Sequence, residues 1–594
     1  MSGQTLPAVY ETYEDIFERK SSMEELIAEI SRYERSSMLW ICAEIVCRIQ
    51  LWARPAEQNR RNYRNYLQEL FEPSVSARLI DGLSSVSPVR RLFHRRQIGL
   101  VAKLALKHGG DGFNAREHRN DLGTIFLMAN DQLDHGLLRS VPAAGADVRE
   151  ASLRLVTEMV AVQEGASPTI ANLFTRGHLM LTRYAQELSG AHDFVDLVGE
   201  FERKIGLTIS EFEAMVFAVH ARFGAAMSNS VVENPALLPL KPEDFATTAI
   251  TADKAAAFLK YVSIAPDDLK KEILDSDNGA NDATPFRKYP MVQYIGPGAE
   301  SRPESHLMID NLTFLEKAQT GPYWVANEAH SGNLRTFWGA VFERYVNDLL
   351  SRACNRTTSR FFADLRQSGR PDIQICDGLI ATEDAVVLME YKASMFRADS
   401  KYRGDRVRLL KEIEKKWVRN EKGSKKGVEQ LAAAVKLLFG NNDPRSVFPD
   451  IDWSKIKQVH LCLVTLDSLG ETIGMSALLG TYLTEALDLA KYPPDFIRPL
   501  HCVDIAGLER ATAYFGSLTL PEMLSRRLQL TTDLTASLSM VDFGTPRQNQ
   551  WIYAEWEAIG RQIVPIVFPG ANMDQFFAGL RENYERVSKE LSAE

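Results

Sequence analysis

Residues 371–394 read PDIQICDGLIATEDAVVLMEYKAS, and the fold predicted for the C-terminal half is organised around this stretch. Two runs rich in apolar and β-branched residues, 373–381 and 385–391, flank the polar residues 382–384. Apolar runs of this length on either side of a short polar segment are typical of a β-hairpin. The sequence therefore predicts two paired antiparallel strands here.

Three charged residues interrupt the apolar strands of this hairpin. Asp377 lies in the first strand, and Glu390 and Lys392 lie two residues apart in the second, so the latter two share a face. With the turn centred between 383 and 384, Asp377 and Glu390 are expected to be neighbours across the strands. Adjacent carboxylates in an apolar sheet repel each other unless a cation neutralises them. An Asp, a Glu and a Lys at one point suit a hard divalent metal with its bound water beside an ammonium group.

The sequence around the hairpin predicts further helices and strands. An apolar stripe with helical spacing marks residues 333–350 as a helix, and Glu343 lies next to that stripe. Residues 427–439 form a second amphipathic pattern, which contains Gln430. Buried strands are predicted at 458–465 and 498–505.

This order of helix, strand, strand, helix and strand, with Glu343, Asp377 and the Glu390-x-Lys392 pair, resembles the PD-(D/E)XK nuclease superfamily. The resemblance covers residues 333 to about 516, under a third of the chain. It implies a restriction-endonuclease-like domain in which Asp377 and Glu390, aided by the backbone carbonyl of Tyr391, hold Mg²⁺, for which Mn²⁺ can substitute. Lys392 would then orient or help to deprotonate the attacking water.

The resemblance also implies roles for two helical residues. Glu343 would reach a second metal or its water. Gln430 is similar to the Gln of the RecB-like branch and would position substrate or metal-bound water, although the Tyr that often follows it in that branch is missing.

Two alternatives stay open for the hairpin. The dipeptide Pro371-Asp372 imitates the name of the superfamily, but Asp372 would pair beyond Lys392, so Asp377 is preferred as the metal ligand. The plainer interpretation is a surface hairpin whose Glu390 and Lys392 form an exposed ion pair of little energetic value, or a degenerate, inactive copy of the site.

A basic segment, 395–426, is inserted between the hairpin and the next predicted helix. It has twelve Lys and Arg against five Asp and Glu, a net charge of +7 in a chain whose net charge is −9. A positive segment beside a metal site is what contact with a phosphate backbone requires. The predicted nucleic-acid-binding residues are Lys401, Arg403, Arg406, Arg408, Lys411, Lys415, Lys416, Lys425 and Lys426. An ordinary solvated helix is the alternative.

The predicted fold class is multidomain: an all-α N-terminal region followed by an α/β restriction-endonuclease-like domain, in which helices flank a mixed sheet. With 594 residues, the chain is long enough for several units. The predicted segments are a helical N-terminal domain at 1–235, a connector at 236–332, the nuclease-like domain at 333–516 and a helical extension at 517–594. The helical N-terminal domain could serve as a sensor, a regulator or an oligomerisation module that makes the chain a homo-oligomer.

Composition excludes several other classes of protein. The 45% hydrophobic and 25% charged residues are ordinary for a globular protein. Six scattered cysteines without a Cys-x-x-Cys pair predict reduced thiols, and the N-terminus lacks a signal-peptide core, so a cytoplasmic protein is expected. The apolar run at 38–52 contains Glu44 and Arg48, which argues against a membrane span. Walker, Rossmann, G-x-S-x-G and H-E-x-x-H motifs are absent from the sequence.

Together these observations predict a Mg²⁺-dependent phosphodiesterase, with DNA endonuclease activity preferred. A large helical region joined to such a domain also resembles stand-alone bacterial proteins that defend against phage, a likeness of architecture alone. The first alternative is a catalytically inactive, nuclease-like protein that binds DNA or acts as a scaffold. The second is a nuclease that cleaves RNA.

Overall fold

The structure, a computed structural model, describes residues 9–52, 57–83, 90–133, 147–162, 169–222, 237–247, 249–276, 279–280, 282, 284–294, 305–355, 357–440, 443–530, 538, 541, 543 and 547–582. The strands are β1 Val9–Tyr10, β2 Arg90–Arg91, β3 Ser263–Ile264, β4 Met291–Tyr294, β5 Ser305–Met308, β6 Arg360–Gln367, β7 Arg370–Ala381, β8 Ala385–Lys392, β9 Gln458–Thr465 and β10 Ile497–Asp504.

The helices outnumber the strands. In the first half they are α1 Tyr13–Phe17, α2 Met23–Ser31, α3 Arg35–Trp52, α4 Glu57–Leu70, α5 Pro73–Leu83, α6 Arg95–His108, α7 Leu122–Gln132, α8 Val148–Val162, α9 Ile170–His178, α10 Ala185–Glu187, α11 Leu197–Ile205, α12 Ile209–Arg222, α13 Ala252–Val262, α14 Pro266–Ser276 and α15 Thr284–Lys288. They continue with α16 Asn311–Cys354, α17 Ala398–Lys401, α18 Arg406–Ile413, α19 Gly427–Phe439, α20 Pro444–Val447, α21 Met475–Ala486, α22 Ile505–Thr512, α23 Leu520–Leu530 and α24 Gln550–Val567.

The chain divides into two compact units, each built from separated segments. The first unit comprises residues 1–135, 201–318 and 561–571, and the second comprises 136–200, 319–560 and 572–594. Neither unit coincides with one of the four segments predicted from the sequence, and that division stays a prediction.

The first unit is mainly helical. Ser22 and Glu25 form the reciprocal hydrogen bonds of a capping box at the start of α2, since the Ser22 side chain accepts from the Glu25 N–H and the Glu25 carboxylate accepts from the Ser22 N–H. A three-stranded sheet, ordered β3-β4-β5, lies in this unit, with β3 parallel and β5 antiparallel to β4.

The second unit contains a mixed, five-stranded sheet in the order β10-β9-β8-β7-β6. Strands β8, β9 and β10 are parallel, whereas β6, β7 and β8 form an antiparallel meander. The predicted hairpin is confirmed as β7 and β8, and the predicted helix at 427–439 and strand at 458–465 have the bounds of α19 and β9. A helical region and an α/β unit are thus both present.

Helix α19 packs on one face of this sheet because both surfaces are apolar. Alternate residues of β8 and β9 point to α19, whose own apolar residues recur at helical spacing. The core between them comprises Val386, Leu388, Leu461 and Leu463 from the strands and Leu431, Val435 and Leu438 from the helix. The parallel strands need such a crossover, since β8 and β9 run in the same direction.

Two further predictions can be compared with the described residues. All six cysteines are free and buried, as expected for reduced thiols. Among the helices that the structure describes, none is long and apolar enough to cross a membrane.

Candidate active site

The hairpin brings Asp377, Glu390 and Lys392 together at the carboxyl end of β8. The register of β7 and β8 pairs Gly378 with Met389, so the next position places Asp377 beside Glu390. The Lys392 Nζ lies 2.9 Å from Glu390 Oε2 and 3.9 Å from Asp377 Oδ2. Since the Lys392 side chain is only 13% exposed, this is a buried group and not the exposed surface pair of the plainer interpretation.

Both oxygens of the Asp377 carboxylate accept hydrogen bonds. Oδ2 accepts from the backbone N–H of Tyr391 at 2.7 Å, and Oδ1 accepts from Nε2 of Gln374 at 3.1 Å. Asp372, the alternative ligand, lies at the exposed start of β7 and pairs with Arg370. The structure thus brings Asp377, and not Asp372, to Glu390 and Lys392.

Burial and crowded negative charge shape the electrostatics of this group. Burial raises the pKa of Glu390 to about 8, against the pull of Lys392 and with a contribution from Asp377. Burial disfavours the charged form of Lys392. The negative charges of Glu390 and Asp377 outweigh this effect and raise the pKa of the ammonium above its ordinary value. The Lys392 ammonium is therefore the cation that offsets the negative charge at this end of the sheet.

Glu343 lies on α16, as the sequence predicted for a helical carboxylate near the hairpin. Burial, followed by the charges of Asp377 and Asp364, raises the pKa of Glu343 to about 7. Gln430 lies in the first turn of α19, where its Oε1 is buried without a hydrogen-bond partner. No hydrogen bond joins Gln430 to Asp377, Glu390 or Lys392.

The start of α19 lies directly against the stem of Lys392. A Cβ on Gly427 would stand 2.6 Å from the carbonyl oxygen of Trp417, 2.8 Å from Cδ1 of Leu463 and 3.4 Å from Cε of Lys392. Such contacts, together with a φ of +20°, leave room only for glycine at this position. Gly427 therefore allows the helix to begin close to the ammonium group.

The basic segment 395–426 forms α17, α18 and a π-helical turn at Glu414–Val418, and much of its charge is paired internally. Lys401 is buried and its Nζ lies 2.6 Å from Asp467 Oδ1, which does not fit the nucleic-acid contact expected of it. Ion pairs also engage four other predicted contact residues: Arg406 with Glu150, Arg408 with Asp399, Lys415 with Glu421 and Lys416 with Glu412.

Other predicted contact residues of this segment keep their charge unpaired. Lys411, Lys425 and Lys426 form no ion pair with any residue that the structure describes, and Lys411 and Lys425 are exposed. Arg403 is half-buried, and its Nε has no hydrogen-bond partner. Lys426 is the N-cap of α19 and immediately precedes Gly427, so its backbone lies next to the Lys392 stem.

Two residues near Asp377 were not identified from the sequence. Gln374 donates through Nε2 to Asp377 and also to Asp364 Oδ1, in each case at 3.1 Å. Asp364 lies in β6 with a φ of +46°, next to an irregularity in the pairing of β6 and β7. Nothing in the sequence marks this irregularity, and β6 itself was not predicted.

The oxygen atoms at this site are ligands of the type that a hard cation prefers. Asp377 and Glu390 offer carboxylate oxygens from adjacent strands, the ligands that Mg²⁺ and Mn²⁺ prefer. The raised pKa of Glu390 is also consistent with a site that gains from a cation. In their present arrangement these oxygens are paired with Lys392, and among the described residues no three His, Cys, Asp or Glu side chains converge closely enough to hold a metal.

Comparisons with models of protein families, with curated proteins and with solved structures find no match to this chain.

Proposed function

We propose that the chain is a metal-dependent nuclease with a site of the PD-(D/E)XK type, and that DNA is its substrate. One observation carries the proposal: the largely buried ammonium of Lys392 lies within 4 Å of two carboxylates from adjacent strands, Asp377 and Glu390. Buried charges are costly for stability, and groups with strongly shifted pKa values in such clusters are candidates for catalysis.

Asp377 and Glu390 would hold the metal, together with the backbone carbonyl of Tyr391. A bound Mg²⁺ would polarise the scissile phosphate and lower the pKa of its water. Lys392 would orient that water, or help to take its proton, and would stabilise the negative charge that develops on the phosphate. Glu343, with its raised pKa, would act from the helix side, and Gln430 would position substrate.

The charges near the site support a polyanionic substrate. Lys425 and Lys426 directly precede Gly427, the glycine that packs against Lys392. Unpaired lysines contribute to phosphate binding mainly by releasing counterions, without reading sequence. The proposal therefore includes no sequence specificity, and a role in defence against phage remains an analogy of architecture.

One observation favours a second candidate, a nuclease-like module that binds DNA without cleaving it. The Lys392 ammonium is hydrogen-bonded to Glu390, one of the two proposed ligands. In such a module the lysine would neutralise the carboxylates permanently, as a structural cation does. Metal-dependent cleavage distinguishes the two candidates.

The experiment is cleavage of supercoiled and linear DNA at low salt with Mg²⁺ or Mn²⁺. Wild type is compared with Glu390→Gln, which removes a proposed ligand, and with Glu383→Gln, which removes an exposed carboxylate in the turn of the same hairpin. We expect metal-dependent cutting by wild type and Glu383→Gln and none by Glu390→Gln. Linearisation of the circle indicates endonuclease action. RNA is assayed in parallel, and cutting of RNA alone identifies the substrate as RNA. Equal cutting by all three proteins would refute the site.

A further inference from the structure

We propose that Gln374 and Asp364 are positioning residues that hold the Asp377 carboxylate in its metal-binding orientation. The two side chains, with Asp377, form a polar relay that links β6 to the site across β7. This inference rests on the proposed metal-dependent function.

The relay restrains both oxygens of Asp377. The Tyr391 N–H fixes Oδ2 at 2.7 Å, and the Gln374 amide fixes Oδ1 at 3.1 Å. A carboxylate bonded at only one oxygen can rotate about its χ2 torsion, which is a soft terminal torsion. The second bond removes this freedom, and both oxygens retain lone pairs for a cation.

The amide of Gln374 suits a position between two acceptors. Gln374 lies between two carboxylates, Asp364 and Asp377, and its NH₂ group donates one N–H to each without carrying a charge. A glutamate here would add a third negative charge, and a methionine of similar length would donate to neither. The chemistry of the relay therefore depends on the amide and not on the shape of the side chain.

Asp364 anchors the outer end of the relay. Its φ of +46° is costly for most residues but accessible to Asp, Asn and Gly. Arg366 fixes it from the other side, because Nε donates to Asp364 Oδ2 at 2.8 Å while a guanidinium NH donates to the carbonyl of Pro371 at 2.7 Å. The irregular pairing of β6 and β7 thus turns this carboxylate toward Gln374.

Groups that orient metal ligands typically change metal affinity by about tenfold or more when they are removed. We expect Gln374→Met to raise the dissociation constant for Mn²⁺ by about tenfold, because Asp377 is then restrained at one oxygen only. The matched control is Gln458→Met, which changes a half-buried glutamine at the opposite end of the sheet.

The experiment titrates full-length protein with Mn²⁺ and measures the free ion by electron paramagnetic resonance. Thermal melts in EDTA verify that each variant is folded. Asp364→Asn retains an oxygen that accepts from Gln374 and tolerates the left-handed backbone, so it should bind Mn²⁺ within about twofold of wild type. Asp364→Gly also tolerates that backbone but lacks the acceptor, and should lose about tenfold. The double variant of Gln374→Met and Asp364→Gly should be no weaker than either single one, since both break the same relay.

Each outcome supports or overturns the relay. If wild type and Gln374→Met bind Mn²⁺ with the same affinity, the relay is overturned but the proposed function is not. Equal losses in Asp364→Asn and Asp364→Gly show that Asp364 acts through its charge, which overturns its role as an acceptor. A wild-type protein that neither binds Mn²⁺ nor cleaves nucleic acid overturns the proposed function, and the relay with it.

Discussion

Replacement of Lys392 by methionine should abolish cleavage while DNA binding persists. Methionine keeps much of the length of the lysine stem, which packs against Gly427, but removes the ammonium that lies 2.9 Å from Glu390 and 3.9 Å from Asp377. The variant therefore changes the charge at the site more than its volume. It separates the chemical step from substrate binding, which we assign to other lysines.

The expected loss follows from the position of the ammonium. Removal of one preorganised group that stabilises transition-state charge in a water-poor site costs about 10²–10³ in rate, or about 3–4 kcal/mol of activation free energy. If Lys392 also transfers a proton, the loss is larger, since general acid–base catalysis contributes about 10²–10⁴. We therefore expect Lys392→Met to cut at least about 100-fold more slowly than wild type.

The variant should still fold. Removal of one partner from a buried ion pair is damaging mainly when the remaining charge has no other way to be neutralised. Glu390 can be neutralised without Lys392, because burial already raises its pKa to about 8 and the carboxyl group can take up a proton. A thermal melt in EDTA tests this expectation before any rate is compared.

The assay measures initial rates of plasmid nicking at saturating Mg²⁺, and DNA affinity by fluorescence anisotropy in Ca²⁺. Lys457→Met is the matched control, because Lys457 is an exposed lysine that pairs with Asp384 at the far end of the sheet. Lys392→Arg keeps the positive charge, but the guanidinium cannot lose a proton. Partial activity of this variant would indicate an electrostatic role for Lys392, and an inactive variant would indicate proton transfer. Cleavage by a folded Lys392→Met protein within fivefold of the wild-type rate would refute the role of this residue.

Two further predictions concern the basic segment and a buried histidine. Replacement of three unpaired lysines of the basic segment by glutamine should weaken DNA binding and reduce the slope of log Kd against log salt by about 3, because each lysine neutralises about one phosphate. These lysines are Lys411, Lys425 and Lys426. The same change at three exposed lysines far from the site should leave the slope unchanged; these are Lys455, Lys457 and Lys491. Burial lowers the pKa of His460 from 6.5 to about 4, with a smaller contribution from Arg498. As the pH falls, the unfolded chain takes up a proton at His460 near pH 6.5, before the folded protein does. The stability that neutral His460 provides is therefore complete above pH 6.5, and about 3 kcal/mol of it is lost as the pH falls toward 4. Urea unfolding at pH 7 and pH 4.5 should show a smaller acid loss for His460→Leu, and an equal loss would contradict the shift.

The hairpin, α19 and β9 could be predicted from the sequence because each has a clear periodic pattern. Two apolar runs separated by a polar turn specify both strands and their register, which is why Asp377 and Glu390 could be expected to be neighbours. The helical pattern at 427–439 agrees with α19 at both ends, since Gly427 and Gly440 bound it. In these elements local pattern and tertiary burial agree.

Edge strand β6 could not be predicted, because its residues do not alternate cleanly between apolar and polar. It reads RFFADLRQ, and only Leu365 is buried. An edge strand has one neighbour, and much of its surface is solvated, so burial leaves a weak pattern in its sequence. The left-handed backbone at Asp364 is likewise a product of strand pairing. The relay that starts at this residue therefore appears only in three dimensions.

The basic segment shows that a net charge counted from the sequence does not reveal which charged side chains are left to bind a substrate. The count of +7 is a property of the sequence, but Lys401 pairs with Asp467 and Arg419 with Glu429, two acids that lie outside the segment. These contacts attach the segment to the turn that follows β9 and to α19, so part of its charge has a structural role. Of the charge that remains for a polyanion, Lys425 and Lys426 lie where the segment meets α19 and directly precede Gly427, which packs against the Lys392 stem. A substrate phosphate attracted by Lys425 and Lys426 would therefore arrive next to the carboxylates that are proposed to hold the metal.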